Sequence, residues 1–222
     1  NSGRRQRQMC IRDSILHITT AEEIELLNKN KKFISYEVTP QHLVLSSPSC
    51  YNKLGTLAQM NPAIRSSRHQ NRLRKALKNN EIDIIGSDHA PHTLSEKKQR
   101  YPDSPSGMPG VQTLMPLLLN EVSKKTISIT NVVELTSFNP IKRFKVKDKG
   151  LIKEGYDADF TFVDLSKTKK ISNKLIQSKC GWTPFHGMKI KGWPVGTMIN
   201  GNKVFWNEKI IGKPTGKPVK FN

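Results

Sequence analysis

Cysteine is scarce in this chain, and so is any long apolar run. The three cysteines, Cys10, Cys50 and Cys180, stand far apart and make no CxxC spacing. That argues against a disulfide framework and against a cysteine zinc site, and it fits a reducing compartment; a cytoplasmic location is expected. Apolar runs of about eighteen or more residues, the length a spanning helix needs, do not occur. The first residues are basic but lack the apolar stretch and small-residue cleavage site of a secretory signal. Aromatic residues are only 7%, and acidic residues number 18 against 37 Lys and Arg, a net charge of +19. An excess of that size raises nucleic acid or a membrane as partners. Here, however, the lysines run through nearly every segment and few aromatics interleave with them. That describes solvated faces, so neither nucleic acid nor membrane is expected to bind.

What is present divides the 222 residues by texture. Residues 1–14, NSGRRQRQMCIRDS, are polar and prefer arginine where the remainder prefers lysine. They read as translated adaptor sequence and are set aside as non-native. From Ile15 to about residue 146 strands alternate with helices. The strands are 15–18, 33–38 and 82–86. Between them lie a helix after Thr20, with Glu23 placed to close a capping box, and an amphipathic helix over 68–80 with Leu73 and Leu77 four apart. Helices over 111–125 and 129–144 follow, with Asn139-Pro140 as a stop signal for the second. After about residue 146 short strands and tight turns take over, with Asn200-Gly201 a hairpin signal. The first region implies a parallel sheet with right-handed crossovers, in which chemistry sits at the C-terminal ends of strands.

Ser87-Asp88-His89-Ala90-Pro91-His92-Thr93 is the segment richest in chemistry. A carboxylate leaves a buried strand with two imidazoles close behind. Carboxylate oxygen and imidazole nitrogen are the ligands Zn²⁺ accepts besides thiolate, and a carboxylate beside a metal can act as general base. Pro91 fixes its own backbone and restrains Ala90, so His92 is aimed by a rigid turn. His17, late in the first strand, is the second strand-end candidate.

In this segment, IDIIGSDHAPHT, the chain resembles the dihydroorotases of the amidohydrolase superfamily. LHITT (16–20), EVTPQHL (37–43), MNPAIRS (60–66) and PSGMPGVQT (105–113) agree in order and spacing, as do GYDADFTFVDL and GWTPFHGMKIKGWPVGTMINGNKV further on. The resemblance runs from about residue 15 to 221. It implies an α/β fold: the C-terminal part of a TIM-type (β/α)8 barrel over 15–146, and a small β-sandwich region over 147–222. It implies His17 as a metal ligand, and Asp88 as both metal ligand and catalytic proton shuttle. Asn61, His92, Ser106 and Gly107 would be the substrate-binding positions. The cofactor implied is a divalent metal, Zn²⁺, one or two per complete subunit. The reaction implied is reversible hydrolysis of the cyclic amide of dihydroorotate to N-carbamoyl-aspartate in pyrimidine synthesis, by a homo-oligomer.

His42 is expected to support rather than to ligate, and Arg65 to make a structural ion pair. His69 and His186 are expected at the surface, and Trp182 and Trp193 in packing. The chain departs from the family pattern in offering three of eight barrel strands and no HxH motif. On its own it is therefore expected to fold poorly and to be inactive. Two alternatives stand beside this reading: a cyclic amidase of the allantoinase, hydantoinase or dihydropyrimidinase type, and a catalytically inactive homologue with a structural role.

Overall fold

Three short parallel strands organise the first part of the chain, whose residues 13–221 are described in a computed structural model. They are β1 (Asp13–Ile15), β2 (Ile34–Val38) and β3 (Ile84–Ile85), in the order β1-β2-β3. Ile15 stands opposite Tyr36, and Glu37 and Val38 opposite Ile84 and Ile85. The first strand begins earlier than the sequence suggested. Asp13 and Ser14, placed by composition in the segment set aside, pair with Ile34 and Ser35, and the remainder of that segment lies outside the described residues.

Helix α1 (Ala21–Lys29) starts at the expected capping box. The Glu23 carboxylate accepts the Thr20 amide at 2.7 Å and the Thr20 hydroxyl at 2.8 Å. Its apolar side buries Ile24 and Leu27. The loop after β2 holds more structure than its polar composition implied: α2 (Pro40–Val44), α3 (Ser49–Leu54) and a 3₁₀ turn over Gly55–Ala58. These elements are too short for periodicity to show. Helix α4 (Ser67–Lys78) then buries Leu73 and Leu77, as their spacing indicated. Ile24, Tyr36, Val38, Leu73 and Leu77 share this core, and each such burial contributes roughly 2 kcal/mol. Beyond β3 the four-residue helix α5 (Leu94–Lys97) is set by a second capping box, Thr93 with Glu96.

The chain clusters into two compact units, 1–110 and 111–222. The second begins with α6 (Val111–Ser123) and continues through α7 (Ile129–Val133) and α8 (Asn139–Phe144). Asn139-Pro140 does not stop the helical path. A widened π turn over Glu134–Phe138 leads into α8, where proline occupies the first turn and its missing N–H costs nothing. The path ends instead at Lys145, in left-handed backbone at φ 54°.

Strands β4 (Phe160–Lys170), β5 (Lys189–Ile199), β6 (Asn202–Trp206) and β7 (Lys209–Ile210) follow as one antiparallel sheet. Helix α6 packs on it, with the Asn120 side chain accepting the Lys191 amide at 3.1 Å. That contact draws the boundary between units back from the change in texture near 146. The Asn200-Gly201 hairpin forms as expected, both residues at positive φ. The expected β-sandwich is not what the described residues of this unit make: they form a single four-stranded sheet backed by helix. Trp182 is buried, as a packing residue should be, while Trp193 is half-buried and lines a cavity of about 520 Å³ within the unit. Among the described residues no helix is long and apolar enough to cross a membrane.

Candidate active site

Glu37, on the middle strand, ties the two strand ends together. Its backbone carbonyl accepts the Ile18 amide at 2.9 Å, and its carboxylate accepts the backbone amide of His17. The same carboxylate lies against Gly86, where a built Cβ would come within 2.2 Å of the Glu37 Cδ. Any larger residue at 86 would expel it. Burial pushes the Glu37 carboxyl up from its ordinary value; the His17 amide and ring oppose that rise, and the nearby Asp88 charge adds to it. One half-buried carboxylate therefore feels both candidate metal ligands, His17 beyond β1 and Asp88 beyond β3.

Both ligand candidates stand in left-handed backbone, His17 at φ 39° and Asp88 at φ 40°. This region costs a non-glycine residue on the order of 1 kcal/mol and is found where surrounding structure imposes it. For His17 the imposing group is Glu37. For Asp88 the neighbours do it: the buried Gln41 amide donates to the Ser87 carbonyl at 2.8 Å, and His89 Nδ1 accepts the Gly110 amide at 3.1 Å. Glu37 and Gln41 both lie within the EVTPQHL motif, outside the site residues that the resemblance implies. A single acid on a strand otherwise without charge, ISYEV, was the available signal.

Three of the other expected positions, His92, Ser106 and Gly107, are tied together by the turn's own contacts. His92 Nε2 donates to the Ser106 carbonyl at 3.1 Å. The Gly107 amide donates to the Gln59 carbonyl at 3.0 Å, and the Ala90 amide to the Met108 carbonyl at 3.1 Å. Gly107 has φ 141°, and a Cβ there would lie 2.5 Å from the Ala90 oxygen. The demand for glycine thus comes from the chain's own DHAPHT turn. Replacing Gly107 with alanine should cost about 2 kcal/mol or more and part Ser106 from His92, a loss readable by thermal melting and by the His92 ring resonances.

Asn61 is exposed, at the head of a turn held from below. The ring of the buried His42 holds it: Nε2 donates to the Pro62 carbonyl at 3.0 Å, and Nδ1 accepts the Thr39 hydroxyl at 2.7 Å. Burial pushes the His42 pKa down to about 4, so the ring is neutral at physiological pH, in the tautomer both bonds require. This is the supporting part expected of it. Arg65, expected in an ion pair, instead reaches the Thr19 hydroxyl at 3.4 Å. His69 is not simply a surface residue, since its Nδ1 accepts the Ala21 amide at 3.1 Å, at the start of α1. His186 is exposed, as expected.

His17 and Asp88 offer the donor chemistry of a zinc site. Among the described residues no set of three His, Cys, Asp or Glu side chains is gathered for a metal ion. Their donor types fit zinc, but two residues fall short of the three protein ligands a catalytic zinc site uses.

The chain is similar to known proteins over most of its length. A model of the amidohydrolase family matches residues 7–204. A dihydroorotase from Pyrococcus furiosus is 40% identical over 206 residues, spanning 92% of this chain and 48% of that protein. One from Methanosphaera stadtmanae is 39% identical over 190 residues, spanning 85% and 43%. Among solved structures, L-hydantoinase (dihydropyrimidinase) from Arthrobacter aurescens superposes with a TM-score of 0.87 at 28% identity, over 91% of this chain and 46% of that one. A dihydropyrimidinase from Brevibacillus agri gives 0.81 at 26% identity, over 90% and 46%. The chain spans about half the length of the curated relatives it matches. With the family match covering most of its length, the chain belongs to the amidohydrolase family.

Proposed function

We propose that this chain is the part of a dihydroorotase that carries the proton-shuttling carboxylate. The whole protein would open the cyclic amide of dihydroorotate to N-carbamoyl-aspartate, reversibly. The observation that carries the reading is the DHAPHT turn, held at the end of β3, with the Glu37 carboxylate feeling both Asp88 and His17. The similarity to dihydroorotases over nearly all of the chain supports it. In this reading residues 15–146 are the last part of the barrel and 147–222 belong to a smaller β region. The remaining strands and ligands come from elsewhere in the protein, which works in the cytoplasm as a homo-oligomer on a small-molecule substrate.

His17 and Asp88 would hold a divalent metal, Zn²⁺ by their donor types. When bound, it would make water acidic enough to attack at neutral pH and would polarise the ring carbonyl. Asp88 takes the proton of the attacking water on its carboxylate and returns it to the departing ring nitrogen. His92 meets the substrate carboxylate, while Asn61 and the backbone at Ser106-Gly107 fix the ring. Holding the reacting atoms in place in this way can supply several kcal/mol.

The runner-up is a hydantoinase or dihydropyrimidinase, favoured by the superposition on those enzymes. The intact, metal-loaded protein assayed against dihydroorotate, allantoin and hydantoin decides between them. We expect kcat/KM for dihydroorotate to exceed the others at least tenfold, and the 222-residue chain alone to turn over none of them. A preference for hydantoin would overturn the assignment.

A further inference from the structure

We propose that Lys97 is a positioning residue, a buried ammonium that staples the Asn61 turn to the Ser106-Gly107 loop. Its side chain is fully buried, an unusual place for lysine. A buried cation is costly unless its hydrogen-bonding capacity is met. Lys97 Nζ donates to the Gln59 carbonyl at 2.8 Å and to the Pro105 carbonyl at 2.7 Å. Gln59 lies two residues before Asn61, and Pro105 immediately before Ser106. The Gln59 carbonyl also takes the Gly107 amide at 3.0 Å, so one oxygen receives both the staple and the loop.

The backbone of Lys97 does the same work from its other end. Its carbonyl accepts the Thr56 hydroxyl, and the Ser104 hydroxyl at 3.3 Å. The Gln59 side-chain amide closes the ring by donating to the Ser104 carbonyl at 2.8 Å. Segments 56–61, 94–97 and 104–107 thus meet on one residue. Lys97 is delivered there by the Thr93–Glu96 capping box, which begins where the DHAPHT turn ends. Burial alone pushes its ammonium down, to about 8, so it is charged near neutrality, and the carbonyl dipoles are what it meets.

A neutral side chain of similar length would take the ammonium from the Pro105 carbonyl, leave the Gln59 carbonyl to the Gly107 amide alone, and loosen the loops against each other. A packing lysine would leave the distance between them unchanged when replaced. That the stapled loops hold the substrate rests on the function proposed above; that Lys97 joins them does not.

The test compares Lys97→Met with wild type in the intact protein. Hydrogen exchange, followed by mass spectrometry, should accelerate at least tenfold over 104–108 and 59–61 and stay within twofold over α4. With dihydroorotate, KM should rise about tenfold while kcat stays within threefold, because a mispositioned loop weakens binding whereas a smaller folded fraction would lower kcat alone. Uniform acceleration of exchange, or none, overturns the staple. Should the variant fail to fold, trace acetylation of the wild-type protein decides: Lys97 should label at least tenfold more slowly than Lys98, and equal labelling overturns it. An intact protein that hydrolyses no cyclic amide, yet shows the local exchange change, sinks the dihydroorotase reading and leaves the staple standing.

Discussion

Asp88→Asn in the intact, metal-loaded protein should lower kcat for dihydroorotate by at least about a thousandfold while leaving the melting temperature within about 2 °C. The expectation separates two things that mutations usually confound. Asparagine has nearly the shape of aspartate and shares its tolerance for the left-handed backbone that position 88 adopts at φ 40°. The Gln41 and Gly110 contacts that aim the turn go to Ser87 and His89, so they survive the change. What is lost is the negative charge and the capacity to take a proton. A general base alone is worth roughly 10²- to 10⁴-fold, and weakened metal binding adds to that. Metal content should fall in the same variant, measured by atomic emission after dialysis. A variant that kept a tenth of the wild-type rate would remove Asp88 from the chemistry.

His42 should give the protein an acid-labile increment of stability of about 3 kcal/mol. Its folded pKa of about 4 lies below the ordinary value of 6.5, so the unfolded chain binds the proton more readily. Stability from this group is therefore fully present above about pH 6.5 and is lost as pH falls through about 4. The physical event is protonation of Nδ1, which must then give up the Thr39 hydroxyl it accepts. His42→Leu should be less stable than wild type by about 2–3 kcal/mol at pH 7, where it leaves the Pro62 carbonyl unpaired. The two proteins should converge by about pH 4. Urea unfolding at pH 7, 5.5 and 4.5 reads the difference. Taking the difference matters, because Glu37 works the other way: its raised carboxyl costs stability as pH rises past the ordinary value. A gap between wild type and variant that did not narrow in acid would show that His42 is not buried neutral.

The fold was legible where one face of an element is apolar over several residues. The α1 capping box, the Leu73–Leu77 pair of α4 and the Asn200-Gly201 hairpin all stand where the sequence placed them. Elements of four to six residues, such as α2, α3 and α5, were invisible because so few positions cannot display a period. The candidate ligands were legible through the DHAPHT motif and its strand. The groups that hold them were not. Glu37, Gln41 and Lys97 act through tertiary contacts to backbone atoms, and backbone atoms carry no letter in a sequence. Lys97 in particular reads as one more solvated lysine in a chain with 37 Lys and Arg.

The pairing of Glu37 with Gly86 bears on how such a site could be rebuilt elsewhere. Grafting the histidine and the aspartate onto a foreign barrel would transfer the letters and lose the shape, since the imidazole-bearing residue takes its bend from an acid one strand away. That acid needs a bare backbone beside it. The smallest portable unit is a quartet spread over three strands, and a library that varied positions 37 and 86 independently would spend most of its members on steric conflicts.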